Sequence, residues 1–195
     1  MKLGAFVIGF HGCDREVGES LIAGKSDFRA SRNAHDWLGE GIYFWENNPE
    51  RALEWARFMA RHPKFKKHVK DPFVVGAVID LGNCLDLTEA TSLRLVRVAY
   101  NSLVEIFGKA DAEMPENRKG HDSDSDLVQR YLDCAVINHL HELRKKDRVE
   151  TFTTVRGAFT EGTELYPGAQ IQAKTHIQLC VRDASAIRGV FLPRE

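Results

Sequence analysis

Cysteine is scarce and scattered: Cys13, Cys84, Cys134 and Cys180 fall in a chain of 195 residues with no Cys-x-x-Cys pair among them. That spacing argues against a zinc site and suits a reducing cytosol, while export by a route without a signal peptide stays open. Net charge is nearly absent too. With 27 Lys and Arg against 28 Asp and Glu, the formal charge is -1, so no global field draws the chain to nucleic acid or to an acidic membrane. Any basic surface must be local. No apolar run approaches the roughly 20 residues that a spanning helix needs. The opening MKLGAFVIGFHG has no small-residue cleavage site after its short apolar stretch and runs into a patterned strand, so it reads as part of the fold. No membrane contact is expected, and no internal repeat is present.

What remains is the composition of one globular domain over 1–195, 43% hydrophobic and 28% charged. Residues 4–10 alternate as a strand, Ala5 and Val7 against Phe6, Ile8 and Phe10. A helix should start at Asn48-Pro49, Asn48 as cap and Pro49 in the first position, and continue through ERALEWARFMARH. Residues 73–82, FVVGAVIDLG, read as a buried strand, and 91–107 and 126–145 carry apolar residues at helical spacing. The polar stretch 111–126 between them reads as a mobile loop. THIQLCVRD (175–183) alternates cleanly, Ile177, Leu179 and Val181 on one face and His176, Gln178, Cys180 and Arg182 on the other. Residues 189–193 make a last strand. Strands at both ends with helices between predict an α+β fold.

Three segments look built for a site. The first strand ends on His11, and the adjoining Gly12 lets backbone groups approach a ligand closely. Gly39-Glu40-Gly41-Ile42-Tyr43-Phe44-Trp45-Glu46 sets paired glycines before a flat tyrosine ring. The 175–183 strand carries Gln178 on its polar face. Taken singly each has a bland reading, because short glycine motifs and exposed strand residues are common. Their order lifts the signal.

That order, His-Gly near the start, then Gly-x-Gly-Ile-Tyr-Phe, then a helix bearing an aromatic, then a Val/Ile-rich strand ending in Leu81-Gly82, then a late strand, resembles the ADP-ribosyltransferases of the diphtheria-toxin and poly(ADP-ribose) polymerase type. The resemblance spans 5–87 and 170–193 and leaves 88–169 as a helical insertion at about 88–150. It implies two small packed sheets around a split cleft for NAD, the co-substrate, with no metal. His11 would hydrogen-bond the adenosine ribose, and Gly12 would hold the nicotinamide carboxamide through its backbone. Tyr43 would stack on the nicotinamide by its ring, with the hydroxyl dispensable. Trp55 is either a second stacking wall, with Ala52 beside it, or plain core packing. Ser31 and Arg32 would lie on the adenine side, and Arg29 and Arg32 are weak candidates for the pyrophosphate.

The same resemblance expects a glutamate where this chain has Gln178. An amide can orient a ribose hydroxyl but cannot act as a general base. Either the acceptor needs little activation, or Glu161 or Glu164 from the preceding loop supplies a carboxylate, or the site binds without catalysing; by a two-residue slip His176 takes the position instead. The implied reaction releases nicotinamide through an oxocarbenium-like species and transfers a single ADP-ribose to a protein or nucleic-acid acceptor. Small free-standing chains of this type resemble toxins or phage-defence effectors, implying a cytoplasmic site of action and an antitoxin or immunity partner. The rivals are an NAD- or ADP-ribose-binding module, an RNA 2′-phosphotransferase and an NAD glycohydrolase. His139-x-His141 diverges on a helix and is not expected to bind metal. The basic run Arg61–His68 reads as a solvated loop or as an anchor for an anionic partner.

Overall fold

The first strand runs further than its alternation suggests. β1 (Phe6–Asp14) is paired antiparallel by β3 (Pro72–Asp80) along its whole length, from Phe6 opposite Asp80 to Asp14 opposite Pro72. His11 and Gly12 therefore lie inside a strand and not at its end. The structure, a computed structural model, describes residues 5–63, 68–120 and 126–194. Gly4 of the expected strand, Lys64–Lys67 of the basic run and residues 121–125 of the expected loop lie outside the described residues.

The fold is α+β. A seven-stranded mixed sheet also contains β2 (Ile42–Glu46), β4 (Cys84–Asp86), β5 (Thr154–Phe159), β6 (His176–Val181) and β7 (Ile187–Phe191), in the order β4-β5-β6-β2-β1-β3-β7. All neighbours are antiparallel except β4 and β5. In place of two separate packed sheets there is one, with a narrow seam at its middle. β1 and β2 pair only at Gly9–Glu46 and Phe10–Trp45. Continued in register, the ladder would set Gly12 opposite Tyr43, but the strands part before that point.

Side-chain alternation assigns Phe10, Tyr43, Trp45, Gln178 and Cys180 to one face of the sheet, and Phe44, Ile79, Leu179 and Val181 to the other. On the first face α2 (Pro49–Arg61) packs on the β1/β3 half. Its cap is as the sequence predicts, with Asn48 Oδ1 accepting from Arg51 N at 3.0 Å. The β4-β5-β6 half is covered by α3 (Ala90–Lys109) and α4 (Tyr131–Lys146). These helices are no detachable insertion. Ala99, Leu103, Val136, Ile137 and Leu140 share one buried cluster with Leu38, Leu85, Val155 and Cys180 of the sheet side. For that reason the face of β6 expected to stay polar is covered, and His176 and Cys180 are buried.

Two elements deserve a physical account because the pattern hides them. α1 (Arg15–Ile22) is capped by Asp14, whose side chain accepts from Glu16 N, but Gly18 interrupts its apolar spacing. That glycine is there for packing: a Cβ would come within 2.3 Å of the Phe73 ring. Asn117, between α3 and α4, likewise makes a specific contact. Asn117 Oδ1 accepts from Leu132 N at 2.9 Å and Asp133 N at 3.3 Å, capping α4, which starts at Tyr131 and not near 126.

On the second face Arg156 of β5 grips Glu46 of β2 with two bonds, 2.7 and 3.0 Å, and Asp86 of β4 with a third at 3.0 Å. Burial works to raise the Asp86 pKa, but bonds from Thr88 and Arg156 outweigh it and hold the carboxyl below its usual range. A depressed carboxylate stabilises the fold above its unfolded pKa and loses that contribution as pH falls through the folded one. Arg156→Met should lower the unfolding free energy at pH 7 by about 3 kcal/mol, since Glu46 and Asp86 both lose the guanidinium that pairs them. In urea denaturation the gap to the wild type should shrink as pH falls from the unfolded pKa of Asp86 through its lower folded value. An unchanged gap would mean the cluster contributes through packing alone.

Candidate active site at the sheet seam

His11 occupies the point where β1 and β2 part. Its Nδ1 lies 2.8 Å from the carbonyl oxygen of Tyr43, so the side chain takes the place of the next ladder bond. A carbonyl only accepts, hence Nδ1 carries the proton. Burial lowers the ring pKa below 6.5, with the Tyr43 bond opposing, so the ring is neutral at pH 7. A neutral ring protonated on Nδ1 leaves Nε2 as a lone-pair acceptor. Phe28 and Phe44 fix the ring edge-on and tilted, with centroids 5.4 and 5.7 Å away.

Gly12 and Ala52 come together as expected, but for a packing reason. A Cβ on Gly12 would lie 2.1 Å from Ala52 O, so only glycine lets the α2 backbone seat on β1, and Ala52 is fully buried there. Tyr43 is half-buried on the same face, and its hydroxyl is fully used. It donates to Gly39 O at 2.6 Å and accepts from Leu38 N at 2.9 Å, and burial raises the phenol pKa far above its usual value. Beyond the ring's expected stacking, the hydroxyl has a structural role, bonding the backbone of the loop that carries Gly39.

Trp45 is a site residue that sequence reading missed. It stands opposite Gln178 in the β2/β6 register and on the same face. Its Nε1 and the Gln178 Oε1 are both buried and have no hydrogen-bond partner. A donor and an acceptor left unpaired on two paired strands are candidates for a polar ligand group. The signal in the sequence was the position directly beyond Tyr43 on the same strand face, where Trp45 reads as ordinary strand core.

Further along β6, His176 Nδ1 donates to Lys174 O at 2.7 Å, and its buried Nε2 has no partner. Burial holds this ring neutral as well. Glu161 therefore pairs with Arg51 of α2, at 3.0 Å, with its carboxylate 4.0 Å from His176 Nδ1. Trp37 and Phe159 wall His176, and the Arg130 guanidinium lies 4.4 and 5.2 Å over those two rings. The structure thus brings Glu161, His176 and Gln178 to one side of the sheet, with Gln178 and not His176 opposite Trp45. Glu164 does not join them. It is exposed and accepts from Gly168 N at 2.9 Å within its own turn.

Ser31 is held beside the seam by an antiparallel bridge to Gly41, with N–H···O distances of 2.7 and 3.1 Å. Arg29 and Arg32 are exposed and make no ion pair among the described residues. Trp55 is not core: it is 45% exposed, 6.1 Å from the Trp45 ring. His139 bonds Ser102 through Nε2, and His141 is buried against Phe152 with its pKa pushed down to about 3 by desolvation.

Compared with known proteins, the chain matches no family model, no curated protein and no solved structure. The site's geometry alone then carries the functional argument. Its most direct structural consequence is at Tyr43. Tyr43→Phe keeps the ring but strands Gly39 O and Leu38 N, so the unfolding free energy should fall by about 1–3 kcal/mol in urea titration. Unaltered stability would show that the hydroxyl does not hold the loop.

Proposed function

We propose that the chain is an NAD-dependent mono-ADP-ribosyltransferase of the ADP-ribosyltransferase fold, which releases nicotinamide and transfers one ADP-ribose to a macromolecule. The observation that carries the reading is the seam itself. A neutral His11 offers Nε2 as acceptor where β1 and β2 separate, on the Phe44 face, and the unpartnered Trp45 Nε1 and Gln178 Oε1 lie across the seam on the other face of β2 and β6. The resemblance of His11-Gly12 and Gly41-Ile42-Tyr43-Phe44 to two of the family's three segments supports it, while Gln178 departs from the third.

The residues fit the roles such a reaction needs. His11 Nε2 accepts from a hydroxyl of the adenosine ribose. The Gln178 amide accepts from a hydroxyl of the nicotinamide ribose and so orients the bond to be broken, while Trp45 Nε1 donates to a neighbouring oxygen. Orientation of this kind, together with stabilisation of developing positive charge, supplies much of the rate in reactions that pass through oxocarbenium-like species. Gln178 cannot take a proton. Glu161 is the carboxylate positioned on the loop before β6 and, once released from Arg51, is the acceptor-activating group.

A second reading, a binding module without turnover, draws on the neutral amide at 178. A nicotinamide-release assay separates the two. The wild type should release nicotinamide, and Gln178→Ala should slow release by about ten- to a hundredfold through the lost hydrogen bond. Gln178→Glu should match or exceed the wild type. No release from the wild type would favour the module, and full activity in Gln178→Ala with loss in His176→Ala would move the catalytic position to His176.

A further inference from the structure

α2 fully buries only small residues, Ala52 and Ala56, and turns Trp55 and Phe58 outward. Trp55 and Phe58 are 45% and 48% exposed and lie against each other, with centroids 5.5 Å apart and planes 27° from parallel. The file begins inside the site, since Trp55 is 6.1 Å from Trp45, the residue opposite Gln178. It ends past the helix, where Phe58 is 5.4 Å from His62. Two large rings half in water on a helix of this length are an anomaly that packing does not explain.

From the rings toward the C-terminal end of the helix the charge has one sign. From Trp55 to Lys70 the sequence holds no acidic residue, in a chain whose overall charge is only -1. Arg57 and Arg61 flank the rings, are exposed, and form no ion pair among the described residues. Glu54, the nearest acid on the helix, is paired with Arg51. Exposed flat rings beside free guanidinium groups are the chemistry that holds single-stranded nucleic acid, bases on the rings and phosphates on the cations. An apolar protein partner would bury the rings but gain nothing from the two arginines.

We propose that Trp55, Phe58, Arg57 and Arg61 form a docking surface for single-stranded nucleic acid, and that a nucleic acid is the acceptor. The acceptor assignment rests on the ADP-ribosyltransferase reading; the docking surface does not. The transfer balances without a further reactant. The bond from the ribose carbon to the nicotinamide nitrogen breaks, and its electron pair leaves with nicotinamide. A base nitrogen or a hydroxyl oxygen of the acceptor uses its lone pair to bond that carbon, and its proton passes to solvent.

The test is a fluorescence titration of the full chain, without NAD, using single-stranded RNA, single-stranded DNA and duplex DNA of about ten nucleotides. One or both single strands should bind and quench tryptophan emission, the duplex less, and the two single-stranded arms tell RNA from DNA. Phe58→Ala should weaken binding about tenfold, Phe58→Tyr should restore it, and Arg57→Gln with Arg61→Gln should flatten the salt dependence. Nicotinamide release in the absence of oligonucleotide should be the same in Phe58→Ala as in the wild type. Label from adenine-labelled NAD should end in nuclease-sensitive material. No binding at low salt, or binding indifferent to Phe58→Ala, overturns the surface, and label that is protease-sensitive and nuclease-resistant overturns the acceptor. Failure of the parent reading shows separately, as oligonucleotide binding without any nicotinamide release, and that result withdraws the acceptor while supporting the surface.

Discussion

Everything at the site depends on one hydrogen bond that is not part of a ladder. β1 and β2 share backbone pairs only at Gly9 and Phe10, and at the next position the His11 ring, not the backbone, bonds Tyr43 O. This leaves the strands bonded enough to hold one continuous sheet and separate enough to expose what lies between them. It also fixes the tautomer of a buried, neutral imidazole, and so decides that the ring meets a ligand as an acceptor. Each half of the sheet is then anchored away from the seam. β3 pairs all of β1, β6 pairs β2, and Arg156 ties β5 to both Glu46 and Asp86.

The packing on the two sides of the seam explains why small residues stand where they do. α2 approaches so closely that Gly12 touches the Ala52 carbonyl, and any side chain at 12 would push the helix off β1. The tyrosine at 43 serves the other wall, its hydroxyl bonded to the backbone of Leu38 and Gly39. These residues are constrained by the fold before any ligand is considered. Among the polar groups that packing leaves unpartnered in the described residues are Trp45 Nε1, Gln178 Oε1 and His176 Nε2, and these are candidates for recognition.

Much of this was legible in the sequence where a local rule governs the structure. Asn48-Pro49 announced α2 because capping is a short-range bond, and the alternation of 175–183 announced β6 because its period is 2. The order of segments along the chain is what singles out His11, Tyr43 and Gln178 as candidates. What was not legible depends on partners far away in sequence. The length of β1 is set by β3, and the burial of His176 by the 88–150 helices. Asn117 reads as loop until its bonds to the start of α4 are seen, and α1 is masked by a glycine whose purpose is the Phe73 ring. Trp45 illustrates the same limit: it becomes a candidate only through its register with Gln178.

The state of His11 is the most direct test of the account, because the seam and the recognition chemistry both follow from it. In the full chain with nitrogen-15-labelled histidine, the His11 ring should show a protonated Nδ1 and a bare Nε2 at pH 7, and should titrate below 6.5. Addition of NAD should shift the Nε2 resonance as that nitrogen accepts a hydrogen bond. A ring protonated on Nε2, or one that titrates at the ordinary value and ignores NAD, would contradict the account at its base.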